Sequence, residues 1–169
     1  LLYGAKFEAG ANDVTGMPTA AYGAYLDYFV SGESFNLPAA PTRPGYDFKG
    51  WKIGNAVFTA GAAYTVDEDD MVFTAQWEAR TDTPYTVEHY LEKLDGSYAL
   101  DTTEPLKGTT DTTVTAAAKS YDNFTYDSTV PGTVASGNIA GDGSLVLKLF
   151  YTRNTYDYTV RHIKQLPDG

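Results

Sequence analysis

Asp67-Glu68-Asp69-Asp70 is the densest run of ionisable side chains in this sequence, and grouped carboxylate oxygens are what Ca²⁺ takes as ligands. Counted as an EF-hand loop from Asp67, the third position is Asp69 and the twelfth is Glu78, but the fifth is Met71 and the sixth is Val72, where the turn needs glycine. Met71, Phe73, Ala75 and Trp77 then alternate with Val72, Thr74, Gln76 and Glu78, the period of a strand and not of a loop. The run reads as a solvated turn ahead of a strand. No metal is expected, and Asp67, Asp69 and Asp70 are the candidate ligands if one binds.

His89 and His162 are the two histidines. Matching sequence surrounds both, so they are expected in separate copies of one unit, where they could not share a catalytic or metal site. His89 alternates with Val87 and Leu91 on an apolar strand face and reads as a histidine held in the core by a hydrogen bond. With no cysteine in the chain, zinc lacks its usual thiolates. No GxSxG motif frames a serine nucleophile, and Gly141-Asp142-Gly143 lacks the lysine and following helix of a phosphate loop. Paired carboxylates for glycoside hydrolysis would need a deep cleft, which units this small rarely form. No enzyme activity and no cofactor are expected.

The 14 tyrosines suit either sugar stacking or a core. A small cysteine-free domain needs large aromatics for buried area, so most are expected inside. Tyr22, Tyr25 and Tyr28 stand in an unusual segment, are the best placed for an exposed patch, and are the candidate ligand-binding residues.

The elements that would position these groups read mainly as strands. Tyr3, Ala5 and Phe7 alternate with Gly4, Lys6 and Glu8. Three prolines between Pro38 and Pro44 hold the chain extended without ladder bonds. Asp95-Gly96 and Asp142-Gly143 signal hairpin turns. Two short helices are expected. One lies over 18–30, where Tyr22, Tyr25, Leu26 and Phe29 recur at helical spacing behind Pro18, and the other lies around Ala116-Ala117-Ala118. The predicted fold class is therefore α+β and β-rich, two tandem small β-grasp-like domains.

YTVEHYLEKLDG at 85–96 recurs without a gap as YTVRHIKQLPDG at 158–169, an offset of 73 residues. An internal period sets architecture before any other signal. It predicts domains at 1–80 and 81–157, with 158–169 the start of a further copy that stops at the Asp168-Gly169 turn, so the chain is expected to be a piece of a longer tandem array.

Net charge is −10, with ten acidic against five basic residues in 1–80 and eleven against five in 81–157. Such a chain repels phosphate backbones and anionic bilayers, so no nucleic-acid partner is expected. No apolar run reaches the length of a membrane helix, so no membrane insertion is expected.

SGESFNLPAAPTRPGYDFKGW at 31–51, with YTVDEDDMVFTAQW at 64–77, resembles the Listeria–Bacteroides repeat, the internalin B-repeat. Its signature falls on Gly45, Tyr46, Phe48, Gly50, Trp51 and Trp77. The stretch TAAYGAYLDYFV at 19–30 is longer than that pattern. YTVEHYLEKLDGSY at 85–98, TTVTAAAKSYDNFTYD at 112–127 and GSLVLKLFYTRN at 143–154 are similar to mucin-binding-protein-like repeats. These resemblances imply β-grasp-type domains of a secreted, wall-anchored surface protein of Gram-positive bacteria, extracellular, with adhesive or spacing roles. The partners implied are a host glycan or surface protein and neighbouring repeats of the same chain. Some Gram-positive surface domains also carry Lys–Asn isopeptide bonds, and no lysine can be paired with an asparagine from the sequence.

Overall fold

The structure, a computed structural model, describes residues 1–164. The Asp168-Gly169 turn lies outside them. The described residues form thirteen strands and no helix. The N-terminal half holds β1 (Tyr3–Glu8), β2 (Asp27–Phe29), β3 (Ser34–Asn36), β4 (Tyr46–Ile53), β5 (Ala56–Phe58), β6 (Ala63–Thr65) and β7 (Met71–Ala79). The C-terminal half holds β8 (Thr83–Glu92), β9 (Tyr98–Gly108), β10 (Thr113–Thr115), β11 (Phe124–Tyr126), β12 (Ser136–Asn138) and β13 (Val146–Arg153).

The α+β, β-grasp-like expectation is thus corrected to an all-β chain. Over 18–30, Tyr22 and Tyr25 exchange backbone hydrogen bonds of 3.0 and 3.1 Å, which closes a tight turn at the spacing that resembled a helix. Asp27, Tyr28 and Phe29 then pair with β1. Aromatic residues at i and i+3 fit a turn as well as a helix, and Gly23 between them favours the turn. Around Ala116–Ala118 the β-branched Thr113-Val114-Thr115 takes a ladder with β12. Ala116 N–H then bonds Ala135 O, and Lys119 N–H bonds the Tyr151 hydroxyl. Those long-range acceptors take the donors that a helix would have used.

Two sheets carry the fold, in the orders β2-β1-β7-β4-β5 and β11-β13-β8-β9. In each half the first strand runs parallel to the last, β1 with β7 and β8 with β13. The first also runs antiparallel to the second, and the last to a strand that follows a short turn. A two-stranded ribbon accompanies each sheet, β3 with β6 and β10 with β12. The halves therefore repeat one topology, and β5 is the addition of the first. Among the described residues no ladder joins a strand of one half to a strand of the other.

Alternation explains the burial. Ala5 on β1 and Met71, Phe73 and Ala75 on β7 turn inward with Trp51, Leu37 and Val66, all at most 2% exposed. Phe7 stacks on Phe73 at 5.0 Å and meets Trp51 edge-on at 4.9 Å, and Tyr64 meets Phe73 at 5.0 Å. Such ring pairs add about 0.5–1.5 kcal/mol each beyond their buried area. The C-terminal half buries Val87, Leu147, Leu149, Tyr151 and Ile139, with the polar side chains His89, Thr83 and Thr110.

Candidate functional site

Tyr22, Tyr25 and Tyr28 come together on the surface. The Tyr28 ring lies 5.9 Å from Tyr22 and 5.3 Å from Tyr25, so it is the centre of the group. The register of β1 and β2 places Tyr28 directly across from Gly4. Tyr25 lies on Gly4 so closely that a Cβ there would sit 2.3 Å from the ring. Tyr22 is 56% exposed and Tyr28 39%.

The acidic run meets this patch through Asp70. Its Oδ1 accepts Gly4 N–H at 2.6 Å and its Oδ2 accepts the Tyr25 hydroxyl at 3.3 Å. The Asp70 charge raises the Tyr25 pKa above its ordinary value, so that hydroxyl keeps its proton. Asp69 is spent within the turn, with Oδ1 on Asp70 N–H at 2.8 Å. Asp67, Asp69 and Asp70 also edge a shallow cleft of about 360 Å³ together with Phe58 and Tyr64. Among the described residues no three His, Asp or Glu side chains are placed to hold a metal ion. The arrangement offers ring faces and one carboxylate on open surface, which suits stacking on an apolar face and provides no nucleophile-and-base pair.

The signature residues divide between core and turn. Trp51 is fully buried and its Nε1–H donates to Pro38 O at 3.1 Å, so the proline-rich stretch is tied to the core by its own carbonyl. Trp77 Nε1–H donates to Ala9 O at 2.8 Å. Phe48 meets both tryptophans edge-on, at 5.2 and 5.6 Å. Gly50 sits at the bulge between β4 and β7. Gly45 and Tyr46 leave their own half: Gly45 O accepts the Thr110 hydroxyl at 2.8 Å, and Tyr46 donates to Asp111. Arg43 lies over the Tyr46 ring at 3.6 Å and pairs with Asp13.

Sequence reading found the buried histidine but not its partners. His89 Nδ1 lies 2.8 Å from the Tyr151 hydroxyl and Nε2 lies 2.9 Å from Glu104 Oε2. Tyr151 Oη already accepts Lys119 N–H at 2.9 Å, so its proton is free to point at Nδ1. With Tyr151 donating to Nδ1, the hydrogen on Nε2 donates to the Glu104 carboxylate, which can only accept. The Lys119 ammonium pairs with the other Glu104 oxygen at 2.9 Å. Spacing carries no trace of this network, because its members lie on β8, β9, β13 and an irregular segment. Every lysine ion pair among the described residues goes to a glutamate.

Glu104 gives a pH prediction. The Lys119 hydrogen bond first, and the His89 hydrogen bond next, hold its carboxyl below the ordinary value of 4.5. A folded-state pKa below the unfolded one contributes stability that is present above about 4.5 and lost as pH falls through the lower value. A curve of urea midpoint against pH should therefore lose part of its acid slope in Glu104→Gln. An unchanged slope would contradict the assignment.

No family model matches the chain, and no curated protein matches it. Among solved structures it is similar to domains 3-4 of Streptococcal High Identity Repeats in Tandem (SHIRT) from a cell surface protein. The identity is 15%, over 90% of this chain and 98% of that chain, with a TM-score of 0.28. A likeness at that TM-score bears on neither fold nor function. The two repeat families that the sequence resembles stay a resemblance.

Proposed function

We propose that the chain is a non-enzymatic spacer segment of an extracellular, wall-anchored bacterial surface protein. In this reading 1–80 and 81–157 are two domains in series, and residue 158 begins another copy. The observation that carries it is the repetition of one strand topology in both halves, joined end to end by hydrogen bonds. Each unit is stabilised by its own aromatic or aliphatic core, as a bead in a series must be. A ten-residue strand such as β8 spans roughly 33 Å, so reach grows with each unit added. Net charge of −10 keeps such a chain soluble and away from phosphate surfaces. Pulling residues 1–169 from their ends in single-molecule force spectroscopy should give two separate unfolding events. One event of full length would remove the serial arrangement.

A second reading, binding of a glycan or host protein, is favoured by the gathering of Tyr22, Tyr25 and Tyr28 on open surface. The adjoining Asp70 and the acid excess favour neutral glycans over sialylated or sulfated ones. A glycan array would then give hits that Tyr28→Ala reduces at least about tenfold, the equivalent of some 1.4 kcal/mol. An array without hits, or with hits indifferent to that change, leaves only the spacer.

A further inference from the structure

The two halves meet through a seam built mostly of backbone. Gly45 O accepts Arg80 N–H at 2.9 Å and the Thr110 hydroxyl at 2.8 Å, while Thr110 N–H donates to Arg80 O at 3.0 Å. Because the Thr110 proton goes to Gly45, the contact between the Thr83 and Thr110 hydroxyls, 2.7 Å, must be donated by Thr83. Thr83 and Thr110 are 2% and 3% exposed, so the bond between their hydroxyls is dry. Gly141 packs directly on Pro44 and Gly45, beside a cleft of about 260 Å³ that Gly45, Arg80, Asp82, Thr83, Pro84 and Gly141 line. A Cβ on Gly141 would lie 2.2 Å from Pro44 O, and one on Gly45 would lie 2.5 Å from Gly141 Cα.

Both outer ends of the chain are built on the same plan. The Arg43–Tyr46 turn, closed by Tyr46 N–H on Arg43 O, recurs as Tyr121–Phe124, closed by Phe124 N–H on Tyr121 O. Gly45, at φ 73°, recurs as Asn123 at φ 67°. The bond from Arg80 to Gly45 recurs from Asn154 to Asn123. On the other side of the seam, Thr112 N–H bonds Thr109 O as Glu33 N–H bonds Val30 O. Asp111 and Thr112 bond Ile139 as Gly32 and Glu33 bond Val66. In that register Gly141 corresponds to Glu68, inside the acidic run at 67–70.

We propose that the seam is a dedicated head-to-tail interface that fixes the two halves in one orientation through the Gly45–Gly141 pair. The outer ends, which carry Asn123 and Glu68 at the matching places, are barred from docking another unit of this architecture in the same close way. The physical content is steric: a Cβ at either position fills the space in which the partner's backbone lies. The stiffness of this joint is then a property of this pair of units and not of every junction such units could make. The proposal concerns the joint and not the spacer role, so a flexible seam would overturn it while two force peaks could still be seen.

The test transplants the outer-end residues into the seam. Residual dipolar couplings of the weakly aligned chain 1–169 should fit one alignment tensor for 3–79 and 83–153 together. Gly45→Asn adds only what the equivalent turn already tolerates at Asn123, so the turn should persist. The common tensor should split into two, with amide dispersion of both halves kept. Gly141→Glu should do the same from the other side, and Asn123→Gly should leave the single tensor intact. Two tensors in the unaltered chain, or one tensor surviving both transplants, would overturn the proposal.

Discussion

Trp51→Ala is expected to unfold the N-terminal half while the C-terminal half stays folded. The Trp51 ring is fully buried, touches Phe7 and Phe48 edge-on, and donates to Pro38 O. Truncating a buried tryptophan costs about 3–5 kcal/mol. Small domains have roughly 0.05–0.15 kcal/mol of stability per residue, so for the N-terminal half this loss is comparable with the whole. The Pro38 carbonyl also loses its donor, which frees the proline-rich stretch from the sheet. Urea unfolding followed by backbone NMR would show amides of 3–79 collapsing to random-coil shifts and those of 83–153 keeping theirs. A loss below about 1 kcal/mol, the level of an exposed substitution, would mean that the core does not close around this ring. Loss of both halves together would mean that they do not fold separately.

Tyr151→Phe should be the most damaging conservative change in the C-terminal half. It keeps the ring, which meets Tyr121 at 4.8 Å, and removes only the hydroxyl. Two groups then lose their partner, Lys119 N–H and His89 Nδ1. The orphaned His89 Nδ1 is buried and costs about 1–3 kcal/mol, and the part-buried Lys119 N–H adds to it. Chemical denaturation measures the loss. ¹⁵N shifts of the His89 ring in the unaltered protein test the mechanism, since hydrogen must sit on Nε2. A proton on Nδ1, or a Tyr151→Phe protein as stable as its parent, would remove the network from the account of this core.

The two changes separate kinds of residue that the amino-acid sequence makes unequally visible. Trp51 stands three residues after Phe48, out of step with the alternation of Tyr46 and Phe48, and the bulge between Phe48 and Gly50 brings it to the core. What the sequence showed was only a large ring in a cysteine-free chain, which favours the interior. The Tyr151 hydroxyl is silent in the sequence. Its value depends on which backbone N–H and which imidazole arrive beside it from segments 32 and 62 residues away.

The helix expectations show the same limit from the other side. Tyr22 and Tyr25 stand three apart in a turn as they would in a helix, and the bonds that they exchange, with the pairing of Asp27–Phe29 on β1, distinguish the two. Likewise the three tyrosines were legible as a group, but their meeting with Asp70 required β1 to lie beside both β2 and β7. The common topology of the halves was hidden for a similar reason. It resides in backbone partners such as Gly32 with Val66 and Asp111 with Ile139, whose side chains have little in common.

By itself, then, the order of residues determined the alternation of many core positions, several of the turns, that the stretch at 85–96 recurs 73 residues on, and that the charge is acidic in both halves. These are local or additive properties, set by alternation, glycine, proline and simple counting. Tertiary structure alone decided that every regular element among the described residues is a strand, that His89 shares its hydrogen bonds with Tyr151 and Glu104, and that Gly45 meets Gly141. Those are contacts between backbone or polar atoms far apart in the chain. No one-dimensional period can report them, because the acceptor that wins each N–H is known only once the strands have met.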